Sequence, residues 1–479
     1  MNYSLLRRLS AGAVWAALLA TMTACGGGSS APAADSADSS ADGGTVKVGL
    51  LHSLTGSMAI SETSVRDAEV LAIDEINKAG GVNGCQIEYV EEDGASQPST
   101  FATKAEKLID SDGVATIFGC WTSSSRKAVK PIVEDYDALL WYPVQYEGME
   151  SSPNIVYTGA APNQQIVPAI EYLLDKGYKN FFLLGSDYVF PRTANMIIQA
   201  QVKAAGANVV GEEYADMDQT DFAAIIAKIE AAKPDIIINT LNGTGNVSFF
   251  KQMSEKNYTA ETYPTMSFSI AEEEVATIGA DILGGHMVSW NYYETTDTDK
   301  NKSFVDAYKT MFGQDRVTSD PAEAAYDAVY LWKAACEKAG SFDVDAVLDA
   351  IHTGEISFDA PEGTVTINGE NQHLAKPVRI GQVSDDGLIY EVYSTDGPVD
   401  PDPYLKSYDW AVAAGIQPLE EPISPITPYT FYFVPAIRVG LTTHPCWNPK
   451  MRAKNALLRF TDSSNMRREH NARIHYHAV

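Results

Sequence analysis

The run FGCWTSSSRKAV, Phe118 to Val129, sets one tryptophan before four consecutive hydroxyls, Thr122, Ser123, Ser124 and Ser125. A short apolar run, VATIFGC, leads into it and a helical pattern follows, so it occupies a strand-to-helix corner. A helix cap needs only one such hydroxyl. Four behind an aromatic fit a cap, a serine nucleophile, a phosphate cradle or a pocket for a small polar ligand.

The catalytic readings lack partners. Four of the eight histidines precede residue 416, namely His52, His286, His352 and His373, and none lies in HExxH or beside a cysteine cluster. GCWTSSS has no glycine after the serine, as a nucleophile elbow requires. NGTGNVSFF, Asn242 to Phe250, offers glycines near a helix start but no lysine after them, so an ordinary strand-to-helix turn is the better reading. In DPAEAAYDAVYLW, Asp320 and Glu323 suit a helix cap and first turn, with Asp327 beyond them. No enzyme, metal or cofactor is expected.

Aromatic and neutral polar residues recur instead at strand ends. WYPVQYEGME supplies Trp141, Tyr142, Gln145, Tyr146 and Glu147. GSDYVFPR supplies Ser186, Asp187 and Tyr188; NTLNGTGN supplies Thr240 and Asn242; SFSIAEEE supplies Ser267 and Ser269. Any one of these is ordinary packing or capping. Gathered in one cleft they make a dry box of hydrogen-bonding groups for a small ligand.

Alternating elements would position them. From Val46, β-rich runs (TVKVGLLHSL, QIEYVEED, VATIFGC, ALLWYPV) alternate with helical periods. The alternation restarts after NIVYTGAAPNQQ with NFFLLGSD, ANVVGEEY, DIIINTL and TYPTMSF. Such alternation predicts parallel sheets covered by helices on both faces, with ligands beyond the carboxyl ends of the strands. Two α/β lobes result, lobe 1 from 46–163 and 295–372, and lobe 2 from 164–294 and 373–415.

The 479 residues suffice for two lobes plus extensions, and a net charge of -28 argues against nucleic acid and anionic lipid as partners. Residues 1–25 carry Arg7, Arg8 and an apolar segment too short for a comfortable span, ending at Ala24-Cys25. That pattern resembles a bacterial lipoprotein signal with Cys25 lipidated, although Met22 stands where Leu is usual. An ordinary cleaved signal is the alternative. Residues 26–45 form a Gly/Ser/Ala/Asp tether. Cys85, Cys120 and Cys336 are expected as free thiols, with a disulfide between two of them the alternative. Residues 416–479 carry eight Lys/Arg against four Asp/Glu, the reverse of the acidic remainder. That basic tail suits a frameshifted or read-through end, or else a functional basic segment.

GCWTSSSRKAV, WYPVQYEGMESSPNIVYTGAAPNQQ, GSDYVFPRTAN, VKVGLLHSLTGSMAISE and DPAEAAYDAVYLW together resemble the urea- and short-chain-amide-binding branch of the leucine/isoleucine/valine-type periplasmic binding proteins. The resemblance spans about Val46 to Trp410 and is strongest to the substrate-binding subunits of ABC urea transporters. It implies the type I periplasmic binding protein fold, two doubly wound parallel-sheet lobes joined by three crossovers. It also implies urea or a short amide as ligand, ABC permease subunits as partners, and an extracytoplasmic, lipid-anchored location. The family's ligand positions map to Trp121, Ser123, Tyr142 and, from the second lobe, Tyr188. Thr122, Gln145 and Asn242 join them as candidates. Amide-sensing relatives have Tyr-Met-Ser at Trp121, Thr122 and Ser123, and Thr-Pro at Val144 and Gln145, so Gln145 is expected to pair a second NH2 of urea. Ser124 and Ser125 would cap the helix, and Arg126 and Lys127 would face solvent or be structural. Branched amino acids, which would need Glu147 or Glu272 for the ammonium, and an amide-sensing regulator are the other readings.

Overall fold

The computed structural model describes residues 44–419. The leader, Cys25, most of the expected tether and nearly all of the basic tail lie outside the described residues.

β1 (Thr45–His52), β2 (Gln86–Asp93), β3 (Ile117–Gly119), β4 (Leu140–Tyr142) and β5 (Ile155–Tyr157) form one parallel sheet in the order β2-β1-β3-β4-β5. Alternate residues face opposite sides, as the period of two requires. Val46, Val48 and Leu50 pack with residues of the helices Ala59–Lys78 and Asp320–Ala339, whereas Leu51, Ile117 and Leu140 pack with Phe101, Val129 and Val133 on the other face. The sheet is therefore wound on both sides.

β6 (Asn180–Ser186), β7 (Asn208–Ala215), β8 (Ile236–Thr240), β9 (Thr265–Ser267) and β10 (Met287–Trp290) build the second parallel array. Phe181, Leu183, Ile236 and Ile238 face the helices Ile166–Asp175 and Val189–Ala204; Phe182, Leu184 and Ile237 face Ala223–Ala232 and Thr244–Glu255.

β11 (Ser357–Ala360), β12 (Gly363–Ile367) and β13 (Leu374–Ala375) form a small antiparallel sheet. β14 (Arg379–Val383) then pairs antiparallel to β10, and β15 (Ile389–Ser394) pairs antiparallel to β14. The second sheet thus ends in an antiparallel edge that the strict alternation did not predict. The chain has no helix between β14 and β15, and a short turn can join only antiparallel neighbours. Leu374 still packs in the first core while β14 belongs to the second sheet, so the third crossing lies after β13 rather than at 372/373.

The three crossovers are tied to each other. Gln164 Nε2 donates to the carbonyls of Leu374 and Val399 at 2.8 and 2.7 Å. Asn291 Nδ2 donates to those of Gln164 and Pro377 at 3.0 and 2.6 Å. Lys376 Nζ donates to Thr158 O at 3.0 Å. Asp320 and Glu323 lie in the first turn of their helix, as expected, but Ser319 is the N-cap residue, and Asp320 Oδ2 accepts from the amides of Asn291 and Tyr292.

Gly119 closes β3 with φ 141°, and a Cβ there would lie 2.1 Å from Leu51 O. Gly119→Ala should cost about 2–4 kcal/mol. Gly340→Ala, where φ is 61° and nothing lies within 4 Å, should cost about 1 kcal/mol. Thermal unfolding of the two variants checks the order.

Candidate functional site

The corner after β3 turns on Gly119 and on Cys120, whose φ is 65°. A non-glycine residue in that region stores strain that its surroundings must hold. Cys120 is fully buried, and burial raises its thiol far above the ordinary range. Cys85, Cys120 and Cys336 are all free thiols, Cys85 half-buried.

Trp121 follows, 3% exposed. Its Nε1 lies 3.4 Å from Asn242 Oδ1 in the other lobe. Tyr142, at the end of β4, donates its hydroxyl to Trp121 O at 2.5 Å and so fixes the backbone that carries the indole.

The hydroxyl run is mostly engaged within the chain. Thr122 is the N-cap of helix Ser123–Asp135, and its Oγ1 accepts from Ser125 N at 3.0 Å. Ser125 donates its hydroxyl to Thr122 O at 2.7 Å. The cap oxygen therefore comes from Thr122, with Ser125 as its amide partner, where the sequence suggested Ser124 and Ser125. Ser123 Oγ donates to Glu147 Oε2 at 2.5 Å and accepts from Arg126 Nη1 at 3.0 Å. Its amide lies in the first helical turn, where helix geometry supplies no acceptor.

Arg126 has no exposed surface. It pairs with Glu147 at 2.9 Å and Glu150 at 2.8 Å, and its guanidinium lies 4.9 and 4.7 Å from the ring centroids of Tyr142 and Tyr146. Lys127 joins Glu150 at 2.7 Å. Burial alone would raise the Glu150 carboxyl, but Arg126 and Lys127 pull it down to about 2. Of the sequence alternatives for Arg126, the structural one holds, and its partners are the acidic residues of the YEGME loop.

Gln145, 3% exposed, reaches the second lobe. Its Nε2 donates to Phe268 O at 2.9 Å and lies 3.4 Å from Ser269 Oγ. That contact identifies the amine end, and the other end, Oε1, is buried without a hydrogen-bond partner. Gln165 repeats the arrangement: Nε2 donates to Ser289 O at 2.7 Å and approaches Phe268 O at 3.4 Å, while Oε1 has no partner. Gln165 was not among the sequence candidates, although it ends the APNQQ motif. Only the tertiary fold brings the start of helix Ile166–Asp175 to Phe268.

Asn242 N donates to Ser186 Oγ at 3.1 Å, and Asn242 Nδ2 donates to Thr240 O at 3.2 Å. Tyr188 packs in the second core beside Phe190, ring centroids 6.3 Å apart. The lobes also meet where Ser61 and Ser319 donate to Glu274 and Glu273 at 2.6 and 2.7 Å, and where Thr244 N donates to Ser57 O at 3.3 Å. The strand ends of both lobes therefore face each other across a closed interface.

A family model described as a periplasmic binding protein domain matches residues 46–409, most of the chain. The chain belongs to the periplasmic binding protein family. It is a solute-binding protein of the kind that serves ABC transporters, and its relatives bind substrates rather than transform them. A leucine-, isoleucine-, valine-, threonine- and alanine-binding protein of Pseudomonas aeruginosa is 26% identical over 67% of this chain and 85% of its own length. A Leu/Ile/Val-binding protein homologue of Brucella melitensis is 23% identical over 78% and 96%. Among solved structures, a Rhodopseudomonas palustris solute-binding protein in complex with 4-hydroxybenzoate has a TM-score of 0.68 and 25% identity, covering 74% of this chain and 98% of its own. A leucine-binding protein of Thermotoga maritima scores 0.65 at 20% identity, covering 73% and 98%, which shows the shared fold. No described helix of this periplasmic binding protein is long and apolar enough to cross a membrane.

Arg126→Met would leave Glu147 buried without its cation and Glu150 with Lys127 alone, at a cost of about 3–5 kcal/mol. Glu150 titrates at about 2 in the folded chain against an ordinary 4.5. Its contribution is complete above about pH 4.5 and is lost as pH falls toward 2. Melting curves from pH 7 to pH 2 should show a shallower acid loss in Glu150→Gln than in the parent.

Proposed function

We propose that this chain captures urea between its two lobes and delivers it to an ABC permease. The observation that carries this reading is Gln145 Oε1, a buried acceptor with no donor, opposite an amine already committed to Phe268 O. Gln165 Oε1 is a second buried acceptor without a donor, on a side chain whose Nε2 also reaches Phe268 O. Buried acceptors left unpaired cost free energy, so they favour a ligand rich in N–H groups. Urea offers four N–H donors and one carbonyl, and no net charge. A benzoate carboxylate would bring further acceptors to acceptors.

In this reading Trp121 walls the box and Asn242 faces it from the second lobe. Gln145 takes one NH2. The amide of Ser123, set by the Thr122 cap, supplies a donor to the urea carbonyl. Tyr142 holds the Trp121 backbone, and Tyr188 closes the second-lobe side. Lipidation at Cys25 would tether the receptor to the outer face of the membrane. Ligand bridging the two lobes shifts the open/closed population toward the closed form that the permease accepts.

An amino-acid ligand is the second reading, because relatives in the family carry that description. It needs an anion for the ammonium. Glu147 is already paired with Arg126 and Ser123. Glu272 has one oxygen without a partner, but burial holds its carboxyl well above the ordinary range, as a neutral acid.

Calorimetric titration of the full chain with urea, acetamide, leucine and 4-hydroxybenzoate tests the reading. Heat with urea is expected, weakened about tenfold or more in Gln145→Ala. Heat with leucine or benzoate and none with urea would overturn it.

A further inference from the structure

Four acidic side chains meet beside the three crossovers. Asp320, Glu323 and Asp327 come from helix Asp320–Ala339, and Glu362 from the turn between β11 and β12. All are at most 2% exposed. The two cations among them are Lys376, 3.1 Å from Glu362 Oε1, and Arg379, 3.8 Å from Glu362 Oε2. Fully ionised, four carboxylates against two cations would leave two negative charges in a region closed to solvent, and burial accordingly raises all four carboxyls.

Hydrogen bonds do not absorb that charge. Asp320 Oδ2 accepts from Asn291 N and Tyr292 N, and Glu323 Oε1 accepts from Glu362 N at 2.9 Å. No protein donor reaches Glu323 Oε2 or either oxygen of Asp327, and these two side chains lie within reach of each other, while the Glu362 carboxylate meets Lys376 and Arg379. Glu323 and Asp327 stand four residues apart on one helix face, where like charges repel unless something lies between them. One oxygen from each of Glu323, Asp327 and Glu362 falls within 4.8 Å of the others.

We propose that Glu323, Asp327 and Glu362 bind one divalent cation of the calcium class at the hinge. A calcium ion has oxygen ligands at about 2.3–2.6 Å, so it spans oxygen pairs up to about 5 Å apart, and it accepts carboxylates in one- or two-oxygen mode. Its charge cancels the excess of two. Magnesium demands stricter octahedral geometry and retains water, which suits this all-carboxylate cluster less well. The site joins helix Asp320–Ala339 to the segments that carry the crossovers, through Asp320 to Asn291 and through Glu362 and Lys376 to Thr158. The inference is independent of which solute the cleft takes.

The test uses the full chain, stripped with chelator and titrated calorimetrically with calcium chloride, then with magnesium chloride. One calcium per chain is expected, with a rise in melting temperature and a weaker response to magnesium. Asp327→Asn and Glu323→Gln should each weaken calcium binding by about 100-fold or more. Stripped Asp327→Asn should melt above stripped wild type, because it buries one charge fewer, and calcium should reverse that order. If calcium leaves wild type unchanged, bound protons balance the cluster and the metal site is overturned. Calcium binding in Asp327→Asn as tight as in wild type overturns it too. Should Asp327→Asn not fold, Glu323→Gln carries the same comparison.

Discussion

The cleft depends on a guanidinium that water does not reach. Arg126 sits under Tyr142 and Tyr146 and neutralises Glu147 and Glu150. It thereby binds the start of helix Ser123–Asp135 to the loop after β4. Both segments carry candidate ligand groups, Trp121 and Ser123 on one and Gln145 on the other. A small neutral solute is read only by hydrogen-bond geometry, so an error of a fraction of an ångström in either segment is felt directly. Charge is used here to hold the walls in place, while Trp121 and Gln145 reach across the interface to neutral groups.

The second constraint is the hinge. The chain passes between lobes three times, and each passage is bonded to another through Gln164, Asn291 or Lys376. Buried side chains thus register the crossovers against each other rather than leaving them as independent linkers. Closure of the lobes then acts on a coordinated strap, and the acidic cluster beside it is part of the same unit. Backbone amides of Asn291 and Tyr292 end on Asp320, and the Glu362 amide ends on Glu323.

Much of this was legible in the residues. QIEYVEED is β2 to the residue, because its flanks and its β-rich content both mark it. Helix Ala59–Lys78 begins five residues before the SVRDAEV pattern that announces it, since its opening AISET carries no apolar period and meets the other lobe through Ser61. β5 lay unseen in NIVYTG, because three buried residues between loops carry no periodicity. Gln165 carries no local signal for the same kind of reason. A glutamine at a helix start is ordinary until a carbonyl from a strand more than a hundred residues away faces it, here that of Ser289 in β10.

The sequence by itself determined the alternation of strands and helices, hence doubly wound lobes and a cleft at their strand ends. Those follow from local periodicity and from the handedness of parallel connections, which a linear pattern records. It also determined that the cleft is lined by aromatics, hydroxyls and amides. Only the tertiary structure decided which of those groups are spent on the protein itself. Ser123 goes to Glu147 and Arg126, Thr122 to the helix cap, and the acceptor oxygen of Gln145 alone among that side chain's atoms is left unpaired. Hydrogen-bond partners are assigned by distance in space, and residues far apart in the chain compete for them, so no local pattern can announce the outcome.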